Sequence, residues 1–156
     1  LFSILTECAA SLYHYCLMEN HFHLLIQIKR AGDLSLLMQR LQLKYAWHHK
    51  KKYGHEGHVF QERYRSPRIP SESYYLQCGR YIERNPLKAG MVKRPEDYIY
   101  SSARYYVLGT ADSVVTPNIF YLDMGRDTKE RQKRYRSFIS LDEPYGRFID
   151  RSILSA

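Results

Sequence analysis

Tyr15-Cys16-Leu17-Met18-Glu19-Asn20-His21-Phe22-His23-Leu24-Leu25-Ile26-Gln27 is the stretch on which the reading of this chain turns. From Phe22 onward it is mostly apolar, and it carries two histidines separated by one bulky hydrophobe. A strand sends alternate side chains to opposite faces, so His21 and His23 share a face with Cα atoms about 6.6 Å apart. Both imidazoles can then reach one metal ion. Phe22, Leu24 and Ile26 point the other way, into a core. The competing reading is a pair of half-buried histidines with ordinary hydrogen-bond partners, and the pattern alone leaves both open.

The surrounding composition narrows the field. The chain has 156 residues, 44% hydrophobic and 14% aromatic, enough for one domain with a real core and too few for two of ordinary size. This excludes a disordered chain. No apolar run approaches the ~20 residues of a membrane span, and no signal peptide is visible. Cys8, Cys16 and Cys78 are odd in number and lack CxxC spacing. They read as reduced packing residues of a cytosolic protein, not as disulfides or zinc ligands. Helical spacing of Leu1, Ile4, Leu5, Cys8 and Leu12 begins at once, so the numbering is expected to start inside a domain whose N-terminal strand is missing.

The formal charge is +8 and the isoelectric point about 9.4. The excess lies in the middle: residues 29–104 hold sixteen Lys and Arg against seven Asp and Glu, while the flanking segments are nearly balanced. A basic segment rich in tyrosine suits a polyanion, most simply nucleic acid, because cations release counterions and rings stack on unpaired bases. A solvated surface is the alternative.

Taken in order, residues 1–12 predict the tail of a helix feeding the histidine strand. Asp33 then serves as N-cap for a helix to about Lys51, with Leu34, Leu37, Met38, Leu41 and Tyr45 inward and Arg40, Lys44, Lys50 and Lys51 outward. His55 and His58 have no second ligand pair at fitting spacing, so residues 54–58 read as a glycine-flanked loop rather than a zinc site. Val59 to Ser66 predicts a strand with Gln61, Arg63 and Arg65 on one face, arginine forks suited to phosphate. Ser71 caps a helix over residues 72–84, ended by Pro86. On it Tyr81 and Asn85, four apart, share a face and present a hydroxyl beside an amide oxygen; a core aromatic and a C-cap are the alternative. Residues 87–100 form a turn-rich connector, 101–106 a short helix, 110–117 a loop, and 127–139 a charged helix. No repeats or low-complexity tracts occur.

Three pieces in this order carry a resemblance: Met18-Glu-Asn-His21-Phe-His23, Gly57-His-Val-Phe-Gln-Glu-Arg-Tyr-Arg-Ser66, and Arg80-Tyr81-Ile-Glu-Arg-Asn85-Pro-Leu-Lys-Ala-Gly90 leading into Pro95-Glu-Asp-Tyr98 and Tyr100-Ser-Ser-Ala103. Together they resemble the single-tyrosine HUH transposases (transposase IS200-like), and within them the REP-associated branch. The match spans residues 1–108, with 109–156 a partly helical extension. What the resemblance implies is an α+β fold, a ferredoxin-like sandwich on a central antiparallel sheet. His21, His23 and Asn85 would hold Mg²⁺ or Mn²⁺. Tyr81 would cut single-stranded, hairpin-flanked DNA, keep a 5′-phosphotyrosine bond and later rejoin strands. Lys44, Arg63, Arg65 and Arg80 are the expected DNA contacts, and Glu19, Asn20 and Gln61 the candidates to orient the histidines. The protein would act in the cytoplasm at the nucleoid, away from membranes, as a monomer or homodimer.

The chemistry fits these residue types. A phenol with a pKa near 10 needs its anion favoured before it attacks. Phosphoryl transfer is chiefly positioning and charge stabilisation, so few groups suffice. Two imidazoles and an amide leave positions open for phosphate and water. Two other readings stand beside this one. An inactive nucleic-acid-binding remnant would keep the basic surface without turnover. A histidine-metal hydrolase would need an acidic general base and no Tyr81.

Overall fold

The computed structural model describes residues 1–54, 57–69 and 71–141. His55, expected in the glycine-flanked loop, lies outside the described residues. The architecture is α+β: an antiparallel pair of strands with helices on both faces. The first helix, α1, covers Phe2–Glu7. It ends because Ala9 takes a left-handed turn at φ 46°, a conformation that halts right-handed propagation. The chain then enters β1, Ser11–Leu17, which pairs with β2, Phe22–Gln27. The helical reading of residues 1–12 thus runs too far. Leu12 fits a helical stripe, yet Leu12, His14 and Cys16 are all buried at alternate positions, the period of a strand. A histidine in the middle of that row disguises it.

Register ties each face to its partner. Cys16 stands opposite His23 and His14 opposite Leu25; Tyr15 stands opposite Leu24. A register irregularity between Leu12 and His14 is the extra residue of a bulge, which changes the face that follows. Phe22, Leu24 and Ile26 pack with Leu12 against α1 and against α2, Ala31–Tyr53, joining Ile4, Leu5, Cys8, Leu37 and Met38. The opposite face, with Cys16 and Leu25, meets Cys78 and Ile82 of α3, Glu72–Lys88. The apolar face expected of the histidine strand is therefore the α1/α2 face, and the histidine face looks towards α3.

Two helix ends differ from expectation. Arg30, not Asp33, is the N-cap of α2; Asp33 sits at the third helical position, where its carboxylate accepts the Arg30 N–H at 3.2 Å. That is the rearward half of a capping box, an equally good use of an acid near the positive helix end. Pro86 does not stop α3, which continues to Lys88. A proline leaves the carbonyl four residues back without its donor, and here the Asn85 side chain supplies one. Its Nδ2 donates to Ile82 O at 3.3 Å and to Tyr81 O at 2.9 Å. At the other end Ser71 caps as expected, its Oγ accepting from Tyr74 N.

The segment 59–66, expected as a strand, runs beside α2 without a ladder, since the one sheet among the described residues contains only β1 and β2. Side chains hold it instead. Phe60 lies edge-on to Phe22, ring centroids 6.2 Å apart, and tilted on Tyr45 at 5.7 Å. Tyr64 shares a hydrogen bond with Ser35. The far edge of β1 is satisfied by Leu17 N donating to Tyr100 O, Ser102 N to Tyr15 O and Thr116 N to Leu12 O. This brings the third part of the chain inward: α4, Ala103–Leu108; α5, Ile119–Leu122; and α6, Thr128–Ser140. Tyr106, Val107, Val115, Tyr121, Tyr135 and Ile139 form its core. Cys8, Cys16 and Cys78 are free and buried, and burial pushes the Cys16 thiol up to about 12 and the Cys78 thiol to about 11.

Candidate active site

His23 lies in β2, whereas His21, expected on the same strand, stands one residue before it in the turn where the hairpin returns from Leu17; Met18 N donates to His21 O at 2.9 Å and closes that turn. Their ring centroids are 5.0 Å apart and nearly perpendicular. Asn20 Oδ1 lies 2.7 Å from His21 Nδ1. An amide oxygen only accepts, so Nδ1 carries the proton and Nε2 keeps its lone pair for a ligand. Of the polar residues expected to orient the histidines, Asn20 makes this contact.

From the other side α3 brings Tyr81. Its ring stands 5.8 Å from that of His23, edge to face. Asn85 follows one turn later, and Lys88 a turn beyond, its Nζ 4.5 Å above the Tyr81 ring. Residues 81, 85 and 88 at spacings of four and three form one stripe of the helix. Lys88 did not enter the sequence reading, although the spacing of seven from Tyr81 carried that signal. Its ammonium places positive charge beside the tyrosine ring. Asn85 is half-buried, with Nδ2 committed to the two helix carbonyls; its remaining polar atom is Oδ1, the atom a hard cation prefers. No group of three His, Cys, Asp or Glu side chains that could hold a metal gathers among the described residues. Two imidazoles and one amide oxygen would leave positions on a divalent cation open to phosphate and water.

What fixes α3 against the strand is a buried polar network absent from the sequence reading. Glu83, fully buried, lies between Tyr81 and Asn85 in sequence and points to the opposite side of α3. Its Oε1 accepts from His14 Nδ1 at 2.9 Å and from Ser102 Oγ at 2.6 Å, and its Oε2 from Tyr135 O–H at 2.7 Å. Asn118 Oδ1 accepts from Tyr121 N, so its Nδ2 is the group that faces His14 Nε2 at 3.4 Å. The imidazole thus carries its proton on Nδ1, towards Glu83. His14 also stacks on Tyr106 at 4.6 Å. Close approach is possible because residue 79 is glycine: a Cβ there would lie 2.7 Å from His14 Nε2. Four elements, β1, α3, α4 and α6, meet on one carboxylate. Burial and the Glu83 charge both drive the Tyr135 phenol far above its ordinary value. The sequence signal was weak, a lone histidine at an inward strand position.

The four expected DNA contacts do not converge on Tyr81. Lys44 bonds Ser3 Oγ at 3.4 Å and lines a cleft of about 440 Å³ between α1 and α2. Arg63 lines a cleft of about 620 Å³ along α2, and Arg65 lies 3.8 Å from Glu62. These three are on the α2 side of the hairpin. Arg80 is only 4% exposed; its guanidinium lies over the Phe138 ring at 5.4 Å and bonds Gln77. It is packed between α3 and α6 rather than turned to solvent.

A histidine pair at the hairpin turn thus has a helix-borne tyrosine beside it on a basic α+β scaffold. The transposase IS200-like family matches residues 1–85, just over half of the chain, from α1 to Asn85. This chain belongs to that family, and so to the proteins of DNA transposition. Comparison with curated proteins and with solved structures found no match. No helix among the described residues is long and apolar enough to cross a membrane.

Proposed function

We propose that this chain is a single-tyrosine HUH transposase of the REP-associated branch, cutting and rejoining single-stranded, hairpin-flanked DNA. The observation that carries the reading is the approach of the Tyr81 ring to 5.8 Å from the His23 ring, centroid to centroid, with the His21 ring 5.0 Å from that of His23. The Tyr81 oxygen attacks the scissile phosphorus and its proton passes to solvent. The bond from phosphorus to the 3′-oxygen breaks, and that oxygen leaves as a 3′-hydroxyl after taking up a proton. A 5′-phosphotyrosine ester remains, and attack by another 3′-hydroxyl reverses the sequence and joins strands without ATP. Mg²⁺ or Mn²⁺ held by His21, His23 and Asn85 would polarise a non-bridging phosphate oxygen and orient the phosphate for in-line displacement. Asn20 holds the His21 tautomer, and Lys88 balances phosphate charge beside the ring. Glu83 and its partners hold the helix that carries Tyr81, Asn85 and Lys88 against β1. Of the expected DNA contacts, Lys44, Arg63 and Arg65 serve as outlying phosphate ligands.

The test is a denaturing gel of the protein incubated with labelled hairpin DNAs and Mn²⁺ or Mg²⁺, beside Tyr81→Phe. A slower, metal-dependent protein–DNA band lost in Tyr81→Phe is expected. Cleavage that survives Tyr81→Phe would sink the mechanism in favour of activated water. Binding without any covalent band under conditions that serve an active relative would leave a nucleic-acid-binding remnant.

A further inference from the structure

Helix α2 outruns the strand it covers. Tyr45 meets Phe60, which meets Phe22 at the start of β2, so the eight residues after Tyr45 project about 12 Å past that point at 1.5 Å per residue. They carry a ladder of rings. Tyr45 and His49 are 6.1 Å apart and His49 and Tyr53 4.7 Å, each four residues on from the last along one stripe. Tyr45 is 47% and Tyr53 62% exposed. At the same end of the hairpin is Tyr100, 56% exposed, its ring 5.9 Å from that of Tyr98. Tyr100 is anchored beside the histidine turn, since its carbonyl accepts from Leu17 N, and Leu17 pairs with Phe22. Lys52 lies between these rings in charge as well: its ammonium is 4.9 Å over the Tyr53 ring and within electrostatic range of Tyr45 and Tyr100. Lys50, Lys51 and Lys52 run in series, and no carboxylate occurs in sequence between Asp33 and Glu56. Glu19 lies within electrostatic range of Tyr98.

Exposed rings at stacking distances are costly to leave in water without a partner. Rings interleaved with cations match one kind of ligand, unpaired bases on a phosphate backbone. We propose that Tyr45, Tyr53 and Tyr100 form a stacking platform for the single-stranded tail that runs from the hairpin to the His21 end of the site. Lys52 contacts its phosphates. The inference rests on the reading of the chain as a single-strand DNA enzyme and adds the path of the unpaired strand. The opposite flank of α2 provides an internal control: Trp47 is 66% exposed with Lys51 over its ring, but it lines the cleft towards α1.

The experiment measures binding by fluorescence anisotropy in a Tyr81→Phe background, which blocks cleavage, using one hairpin with and without a twelve-nucleotide single-stranded tail. Tyr53→Ala and Tyr100→Ala are each expected to weaken the tailed hairpin about five- to tenfold and the untailed one hardly at all, with Tyr53→Phe restoring the tail effect. Trp47→Ala should leave both unchanged. Equal losses on the two DNAs, no loss on the tailed one, or an equal loss in Trp47→Ala would each overturn the platform. So would burial of Trp47 or Tyr53 in a second copy of the chain, read as concentration-dependent dimerisation that DNA does not reverse. The outcomes separate from those of the cleavage gel. A covalent band without a tail effect removes the platform alone, and a tail effect without a Tyr81-dependent band removes the enzyme reading alone.

Discussion

Replacing Tyr135 with Phe removes one hydroxyl from the place where four elements meet. That hydroxyl donates at 2.7 Å to Glu83 Oε2, and Tyr135 is 1% exposed, so no water stands ready to replace it. A hydrogen bond to a buried charged acceptor contributes about 1.5–3 kcal/mol, against about 0.5–1.5 for a neutral pair. The ring stays, so its packing on Tyr106, at 5.0 Å, is kept. Tyr121→Phe is the matched comparison, because its hydroxyl donates to a neutral carbonyl, Tyr106 O, at 3.2 Å. Total stabilities of about 5–15 kcal/mol make either loss measurable. For a chain of this size each kcal/mol moves the melting temperature roughly 2–4 °C, so Tyr135→Phe should melt about 3–12 °C lower than the parent. Urea midpoints and thermal melts of both variants supply the numbers. A Tyr135→Phe loss no larger than that of Tyr121→Phe would refute the idea that Glu83 organises the network.

Gly79→Ala puts a methyl group 2.7 Å from His14 Nε2, and overpacking at this junction should cost about 1–3 kcal/mol, read from the urea midpoint. Asn20→Ala frees the His21 ring to change tautomer and orientation; Mn²⁺ affinity followed by titration calorimetry should fall about 10–100-fold with the melting temperature unchanged. Alkali should destabilise the fold early. Burial holds the Cys16 and Cys78 thiols and the Tyr15, Tyr75, Tyr106 and Tyr135 phenols above their ordinary values of 9.0 and 10.0. The folded state therefore keeps these protons more tightly than the unfolded one. Their contribution is complete below those ordinary values and is lost as pH rises past them, so urea midpoints should hold steady to about pH 9 and then drop.

The sequence was enough to determine what depends on near neighbours along the chain. The alternation from Phe22 to Ile26, the four-residue step from Tyr81 to Asn85 and the Ser71 cap are local patterns, and each survives into the fold, although the strand begins one residue after His21. The family was legible for the same reason, since its motifs are short and ordered. The misreadings share a cause in side chains and pairings that come from afar. Pro86 would end an isolated helix, but Asn85 supplies the missing donor. Residues 59–66 alternate like a strand, but no strand edge is offered to them. His14 interrupts an apolar row, because its partners are 69 and 104 residues away at Glu83 and Asn118. Arg80 looked like a surface cation until α6 covered it with Phe138. Most of all, periodicity could place His23 on a strand and Tyr81 on a helix, but only packing could decide that the two rings meet. Glu83, closed off by α4 and α6, holds that meeting in place.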